Sequence, residues 1–417
     1  MGQQREAFAA ELRRLRAFTG LSLAELARAA HVNRGYVGHV EHGQRWPSRS
    51  VAATLDDAVG ARGALLAAWE AADTQPALPS VGTPGEAAEL EAVELARRVT
   101  ASDLGGQTLA RLEAAVDDIA TAYPATAPAD LLGPVRGHLD YLRRLVDARA
   151  TLDQRRRLLV VGGWLSLLTA TLYIDLERHR PARGWLTTVA ELAQQTGHQE
   201  IHAWRYETEA WAALTVGDYR RAVELSQAAQ RIAPRGSSAQ IQATAQEGRV
   251  WARLGQRRDT YDAIDRVQAL AGSLPPPNRP EHHYRYDPTK ALAYTATTLA
   301  WAGDVAAEGY ARESIARLQG GNGEVSRWPR RVATSHLDLA LALLITNRLD
   351  EATACSLAAI QSGKVVPSNH WRALEVLRAV EARELPESAD LREAYEQMRR
   401  GGPSPAVHPG ERPARLC

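Results

Sequence analysis

The chain has 417 residues, which is too long for one ordinary hydrophobic core, so two or more domains are expected. Its 50 basic and 49 acidic side chains nearly cancel, and any nucleic-acid surface must therefore be sought in local clusters of charge. The only cysteines are Cys355 and Cys417, which excludes a disulfide framework and a zinc site built on cysteines. The first residues, MGQQREAF, predict no secretory signal, so a reducing cytoplasm is the expected compartment.

Helix-forming residues dominate the whole sequence. Ala, Leu, Arg and Glu are abundant, apolar residues recur at three- and four-residue spacings, and no alternating strand pattern persists. Residues 1–72 break into five short helical pieces, and a linker rich in proline and glycine follows at residues 73–86. The sequence therefore predicts an all-α protein with a small first domain.

Two capped helices follow each other closely in this first domain. Ser22 begins a capping box, and Asn33 is placed to cap the next helix. Only His31 and Val32 lie between the two helices, which must therefore cross sharply. The stretch LSLAELARAAHVNRGYVGHVEHGQRWPS, residues 21–48, resembles the helix-turn-helix of the XRE family of bacterial and phage repressors, which have a five-helix fold like that of lambda repressor.

The resemblance implies that the helix beginning after Asn33 lies in the major groove of DNA, with its first residues against the base edges. Arg34 is the candidate for a bidentate contact to guanine, and Gly35 permits close approach of the backbone. The helix and the loop after it supply base and phosphate contacts. The candidate DNA-binding residues are Ser22, Asn33, Arg34, Gly35, Tyr36, His39, Gln44, Arg45, Trp46 and Arg49.

Two further features of this domain follow from the family likeness. Arg16 and Glu41 are expected to form a buried ion pair that fixes the relative pose of two helices. Leu23 stands where many members carry a polar residue, so that phosphate contact is lost or moved to Ser22 or Arg28. The nine arginines and seven acids of residues 1–72 predict modest non-specific affinity, which favours a homodimer on a paired site.

Beyond the linker, residues 87–399 repeat a pattern of a helix with small residues, a tight turn and a second helix. The turns fall around Gly217, Gly255, Gly303 and Asn347, so successive separations are 38, 48 and 44 residues. These segments resemble tetratricopeptide repeats, whose units stack into an α-solenoid with a concave groove.

An uncharged run at residues 158–174 raises the question of a membrane. Its 17 residues lie at the short edge of what a transmembrane helix needs. A membrane span and a helix buried in a large helical core both remain open. The run falls where an upstream repeat needs its first helix, which favours the core helix and predicts no membrane partner.

The groove is where a solenoid of this kind would bind a ligand. Trp204, Glu207 and Trp211 share one face of the first helix of a repeat, and Arg249 and Lys290 fall on comparable faces of the next two repeats. An aromatic pair with fixed charges suits a small molecule or an extended peptide. The alternative is that the tryptophans only pack between repeats.

Two pairs of histidines are candidates for a metal site. His39 and His42 lie three residues apart with no third ligand in view, and HQEIH, residues 198–202, lacks the glutamate that follows the first histidine of a zinc-protease motif. A solvated or packed pair is the favoured interpretation, with a metal site as the alternative. No catalytic constellation stands out, so neither a cofactor nor an enzymatic activity is expected.

A helix-turn-helix domain followed by such repeats is similar to the peptide-pheromone receptors of Gram-positive bacteria and to many regulators of actinobacteria. The resemblance implies a homodimeric, sequence-specific transcription regulator in the cytoplasm, associated with the nucleoid, with a small-molecule or peptide effector in its repeat domain. The competing hypothesis is an interaction scaffold whose first domain is a weak DNA tether. Residues 400–417, rich in proline and glycine, are predicted to be disordered.

Overall fold

The structure is a computed structural model that describes residues 2–74, 84–272, 274–275, 277–319, 326–383 and 388–401. Twenty α-helices and no strand occur in these residues, so the predicted all-α class is confirmed. The chain divides into two compact units, Met1–Arg98 and Val99–Cys417. Most of the predicted linker and nearly all of the predicted disordered tail lie outside the described residues.

The first unit begins with the five helices that the sequence predicts. They are α1 (Gly2–Thr19), α2 (Leu23–Ala29), α3 (Arg34–Glu41), α4 (Arg49–Ala58) and α5 (Ala64–Thr74). Their apolar faces enclose a core in which Leu12, Leu26, Val37 and Leu55 are fully buried. Each such side chain contributes about 1.5–3 kcal/mol of hydrophobic stabilisation.

The sharp crossing of α2 and α3 is produced by a backbone turn at His31. This residue has a φ of 53°, in the left-handed region that usually takes glycine. Its N–H donates to the carbonyl of Arg28, and the N–H of Val32 donates to that of Ala27, which is the Schellman arrangement at a helix end. His31 therefore ends α2, and the next helix starts in a new direction.

A sixth helix, α6 (Pro84–Thr100), is grouped almost entirely with the first unit. The sequence predicts that the repeat domain begins at residue 87, and this boundary stays a prediction. Proline and glycine mark where a helix stops, but they carry no information about the domain with which the next helix belongs.

The described residues of the second unit form seven helical pairs. Consecutive helices pack on each other, and the odd-numbered helices from α7 to α19 also pack in succession, as in a helical repeat array. The helices are α7 (Gly106–Ala122), α8 (Pro128–Val146), α9 (Leu152–Asp175), α10 (His179–Thr196), α11 (Gln199–Thr215), α12 (Tyr219–Ile232), α13 (Ser238–Arg253), α14 (Arg257–Gly272), α15 (Pro288–Trp301), α16 (Ala307–Leu318), α17 (Pro329–Ile345), α18 (Leu349–Gln361), α19 (His370–Glu381) and α20 (Ser388–Arg400).

The turns within the central pairs share one backbone feature. Each contains a residue in the left-handed region, with φ between 56° and 81°, and four of the five lie where the sequence places a repeat turn. The residues are Glu177, Gly217, Gly255, Gly303 and Asn347. This conformation reverses the chain within three residues, so the two helices of a pair run antiparallel.

Helix α9 contains the uncharged run. By length and composition it could cross a membrane, and 83 % of its most apolar window is buried inside the protein. A Cβ added at Gly163 would lie 3.0 Å from Cδ1 of Ile201, so α9 and α11 approach closely at this glycine. The run thus packs as a core helix, the interpretation that the sequence favours.

The early and late helices of the second unit meet. The backbone N–H of Arg330, in α17, donates to the carbonyl oxygen of Pro124 at 3.3 Å, and its guanidinium donates to that of Tyr123 at 3.0 Å. The carboxylate of Asp175, at the end of α9, pairs with Arg330 and accepts from the hydroxyl of Ser368 at 3.3 Å. These contacts bridge the expected concave groove and narrow it to a partly open cavity, called the interior cavity below, which is a correction to the open solenoid.

Candidate nucleic-acid interface and interior cavity

Side-chain caps fix the beginnings of α2 and α3. The N–H of Glu25 donates to Oγ of Ser22 at 3.2 Å, and the N–H of Ser22 donates to Oε2 of Glu25 at 2.8 Å, which completes the capping box. Oδ1 of Asn33 accepts from the N–H of Gly35 at 2.7 Å. The exposed side chains of Ser22 and Asn33 therefore each accept at least one hydrogen bond from the backbone. The Ser22 hydroxyl can still donate its proton to a group outside the protein.

The first turn of α3 presents a free cation. Arg34 and Gly35 are exposed, whereas Val37 and Val40 on the opposite face are buried. Within the described ranges Arg34 has no ion-pair partner, so its donors remain available for an acceptor outside the protein. A Cβ at Gly35 would lie 3.3 Å from Oδ1 of Asn33, so glycine also suits the tight cap at this position.

Two side-chain pairs connect α3 to the loop that follows it. The guanidinium carbon of Arg45 lies 5.0 Å from the ring centroid of Tyr36, at cation–π distance. Nδ1 of His39 lies 2.7 Å from Oε1 of Gln44, and because a carbonyl oxygen only accepts, this nitrogen is assigned the proton. Nε2 of His39 and the amide group of Gln44 are left to bind other groups.

Two of the residues expected to contact phosphates, one in the loop after α3 and one at the start of α4, have partners within the protein. The Trp46 ring is half-buried, 5.2 Å from Phe8 and stacked 6.2 Å from Trp69, so it anchors the loop to the core and does not stand free. Arg49 is exposed but pairs with Glu70 at 2.6 Å, which partly neutralises its charge. Sequence spacing puts Trp46 in the loop without showing that α1 and α5 meet beneath it.

The Arg16–Glu41 pair links α1 to the end of α3. Nε of Arg16 lies 2.6 Å from Oε1 of Glu41, Nη2 lies 3.1 Å from Oε2, and Nη1 donates to the carbonyl of Leu21 at 2.9 Å. The Glu41 side chain is buried. This bidentate contact fixes the orientation of α3 relative to α1.

The interior cavity of the second unit has a volume of about 160 Å³. Odd-numbered helices from α9 to α19, with the loop before α15, supply most of its lining. Among its 24 lining residues six are cationic, namely Arg249, Lys290, Arg330, Arg331, Lys364 and Arg372, and four are acidic, namely Asp175, Glu207, Glu281 and Asp338.

Four of the five residues that the sequence assigns to the groove line this cavity: Glu207, Trp211, Arg249 and Lys290. Trp204 does not, and this is a correction. It is 1 % exposed, and its ring lies 5.2 Å from that of Tyr284, which belongs to the loop between α14 and α15. That loop covers Trp204, and sequence spacing along α11 cannot show which distant segment packs on each face.

Three of the acidic lining residues are held by arginines. Asp338 pairs with Arg372 and accepts from the hydroxyl of Thr297 at 2.7 Å. Burial raises the pKa of the Asp338 carboxyl and lowers that of Arg372, which their mutual attraction opposes. Asp175 pairs with Arg330, and Glu281 lies 2.5 Å from Arg327.

Burial also shifts the pKa values of two lining residues that have no arginine partner within 4 Å among the described residues, Glu207 and Lys290. Burial raises the pKa of Glu207, against a hydrogen bond of 2.9 Å that Oε1 accepts from Gln242. Nζ of Lys290 donates to the carbonyls of His283 at 2.7 Å and Arg285 at 3.1 Å. Burial is the main cause that lowers the pKa of Lys290 to about 7.

Two acidic lining residues could have been found from the sequence, because each is a single charge in or beside an apolar run. Asp338 is a lone acid inside the apolar run LDLALALL, and Asp175 closes the uncharged run of α9. A single charge in an otherwise apolar helix costs free energy unless it is paired, so it marks a paired or functional site. Arg330 and His283 show no comparable signal, since their surroundings in the sequence are polar.

The histidine pairs have packing and capping partners. Nδ1 of His198 accepts from the N–H of Ile201 at 3.2 Å, and the His202 ring stacks 5.2 Å from that of Tyr206. Nδ1 of His42 lies 2.7 Å from the carbonyl oxygen of Gly38. Across the described part of the chain, no group of three or more His, Cys, Asp or Glu side chains is placed to hold a metal ion.

Comparison with known proteins bears on the first unit alone. Searched against curated proteins, the chain finds no match. A protein-family model described as a helix-turn-helix domain matches residues 7–69, the segment that contains most of α1, all of α2 to α4 and the first six residues of α5. The chain therefore carries a helix-turn-helix DNA-binding domain at its beginning.

Proposed function

We propose that the protein is a sequence-specific transcription regulator of the XRE type, in which α3 reads the major groove. The observation that carries the proposal is the free Arg34 guanidinium at the exposed start of a capped α3, inside the segment that matches the helix-turn-helix model. An arginine in this position makes bidentate contacts with guanine. Arg45 and the Gln44 amide group, beside α3, would hold phosphates.

The proposal extends to assembly and control. The first 72 residues carry nine arginines against seven acids, and this weak excess favours a homodimer on two half-sites. The second unit, a tetratricopeptide-like array, would supply the dimer contact and an effector site in the interior cavity. An effector acts by binding one arrangement of the dimer more tightly than another. We expect such a regulator to act in the cytoplasm, associated with the nucleoid, and the proposal contains no catalytic step.

Selection from random duplexes tests this function. The full chain is incubated with a pool of random-sequence duplex DNA, and the bound duplexes are amplified and sequenced over several rounds. We expect enrichment of an inverted repeat whose half-sites are spaced by about 10 bp or a multiple of it. The Arg34→Ala variant should enrich a weaker motif that has lost a G·C pair in each half-site.

A different outcome supports the scaffold hypothesis. If the full chain enriches no motif and its DNA binding depends only on salt, the first unit is a non-specific tether. A single half-site without symmetry would instead retain sequence-specific reading and remove the dimer from the proposal.

A further inference from the structure

We propose that the interior cavity binds a compact organic carboxylate, about the size of one six-membered ring, with its carboxylate on Arg249 and a hydrogen-bond donor on Gln242. The inference rests on the proposed function only in taking this ligand as the effector. The binding site itself follows from the charges, unpaired atoms and volume of the cavity.

Among the described residues, Arg249 is the one lining guanidinium with no carboxylate oxygen within 4 Å. Arg330 pairs with Asp175, Arg372 pairs with Asp338, and Arg331 lies 3.3 Å from Asp287. Arg249 has no acidic oxygen within 4 Å in the part of the chain that the structure describes. It is only 5 % exposed, so water does not compensate its charge fully. Its charge acts on the carboxyls of Glu207 and Asp338 from beyond contact distance, so an anion from outside can still pair with it directly.

The Arg249 guanidinium is held in place by neighbours that leave donors free. Its carbon Cζ lies 4.3 Å from the ring centroid of Tyr294 and 5.4 Å from that of Trp211, and Nη2 donates to Oε1 of Gln246. Nε has no hydrogen-bond partner among the described residues. The rings fix the plane of the guanidinium, and its unused N–H groups match the two oxygens of a carboxylate.

Gln242 supplies the complementary acceptor. Its Nε2 donates to Oε1 of Glu207 at 2.9 Å and to the hydroxyl oxygen of Tyr294 at 3.1 Å, which fixes the orientation of the amide. Oε1 is left with no donor in the described structure, although the residue is 5 % exposed and lines the cavity. A ligand with a hydroxyl group would satisfy it.

The volume limits the size of the ligand. Apolar cavities of roughly 150 Å³ accept a molecule as large as benzene, and this cavity measures about 160 Å³. Drug-sized ligands occupy pockets of about 300–1,000 Å³. The volume of this cavity therefore favours the small-molecule effector over an extended peptide of several residues.

The test uses calorimetry on the full chain with matched probes. The three positional isomers of hydroxybenzoate carry the charge and the donor, and the corresponding hydroxybenzamides have the same shape without the charge. We expect at least one hydroxybenzoate to bind, at least about tenfold more tightly than its amide and more tightly than benzoate. If no hydroxybenzoate binds, or if the amides bind equally well, the inference is overturned.

Variants locate the site. Arg249→Gln should weaken binding of the best hydroxybenzoate by at least about tenfold, and Arg249→Lys should restore part of it, because a point charge replaces the planar guanidinium. Arg253→Gln is the control, since this arginine lies one turn further along α13 and outside the cavity lining. Equal losses for both glutamine variants would place the anion elsewhere. The wild-type contrast between acid and amide stays decisive if Arg249→Gln fails to fold.

DNA selection and calorimetry can fail separately. A chain that enriches a DNA motif but binds no hydroxybenzoate keeps its proposed function and loses this ligand. A chain that binds the acid through Arg249 but enriches no motif keeps the ligand site and loses the regulator.

Discussion

Arg249 and Arg253 lie one helical turn apart on α13, and each guanidinium lies against two aromatic rings, but among the described residues only Arg253 has a carboxylate within 4 Å. Its Nη1 and Nη2 lie 2.7 and 3.0 Å from the oxygens of Glu375, and the rings of Trp301 and Trp371 lie 4.8 and 4.9 Å from its Cζ. The same local arrangement thus occurs once with a carboxylate of the chain in contact and once, among the described residues, without one. This difference separates an arginine that holds two helices together from one that is available to a ligand.

The first prediction concerns recognition of DNA by Arg34. Replacing it with alanine should cost about 1–3 kcal/mol of binding to the selected DNA site, because a bidentate contact to one base pair is lost. Binding to unrelated DNA should change little. Gel shifts with the selected duplex and a scrambled one measure both values. Arg13→Ala, which removes an exposed arginine from α1, should leave the ratio between the two duplexes unchanged; a reduced ratio there would remove the case for Arg34.

The second prediction concerns the Arg16–Glu41 pair. Arg16→Met leaves the buried carboxylate of Glu41 without its partner and should destabilise the first unit by up to about 3 kcal/mol. Hydrogen exchange in peptides from α1 to α5 of the full chain should speed up accordingly. Arg14→Met removes an exposed arginine that pairs with Glu11 on the same helix, and it should change exchange little. Similar effects of the two variants would contradict the structural role of the buried pair.

The third prediction concerns the protonation of Lys290. The chain has two lysines, so 13C-labelled lysine gives two sets of NMR signals, and Lys364→Arg identifies them. The Lys290 signal should titrate with a midpoint of about 7, below its usual 10.5, because burial disfavours the ammonium form.

Protein stability should follow the same titration. Between about pH 7 and 10.5 the unfolded chain binds the proton that folded Lys290 has lost, so the contribution of this residue to stability rises with pH in that window. Lys290→Met should remove this dependence in urea denaturation. A titration midpoint near 10.5 would show that the amine is solvated and the loop around it open.

The fourth prediction concerns the closure at Asp175. Asp175→Asn leaves the Arg330 guanidinium, buried in the closure, without a carboxylate, and should destabilise the second unit by about 3–5 kcal/mol. Hydrogen exchange should increase in α17 and around Ser368 while α1 to α5 stay unchanged. Asp140→Asn, which breaks an exposed pair with Arg143, is the control and should behave as wild type. If the two variants behave alike, the pair is not what holds the array closed.

Local features of the fold could be predicted from the sequence because they depend on neighbouring residues. The caps at Ser22 and Asn33 and the turns at Gly217 and Gly255 each involve contacts within about five residues. Spacing on one helical face was also enough to predict that Glu207 and Trp211 line the cavity.

Long-range contacts account for what could not be predicted. Asp175 and Arg330 are 155 residues apart in the chain, and no local pattern shows that they meet. Trp204 lies on the same helical face as Trp211 by its spacing in the sequence, but the loop that carries Tyr284 buries Trp204. The half-buried position of Trp46 likewise depends on α1 and α5, which lie on either side of it in the sequence.

Closure of the array limits how the second unit can change in length. In an open solenoid each unit touches only its neighbours, so a unit can be gained or lost with little effect on the others. Here the end of α9 and the start of α17 are bound to each other through Asp175 and Arg330. Insertion or deletion of one helical pair between them would change the length of the array between α9 and α17 and separate the two charged side chains. The number of units between these helices is therefore fixed by the contact that closes them.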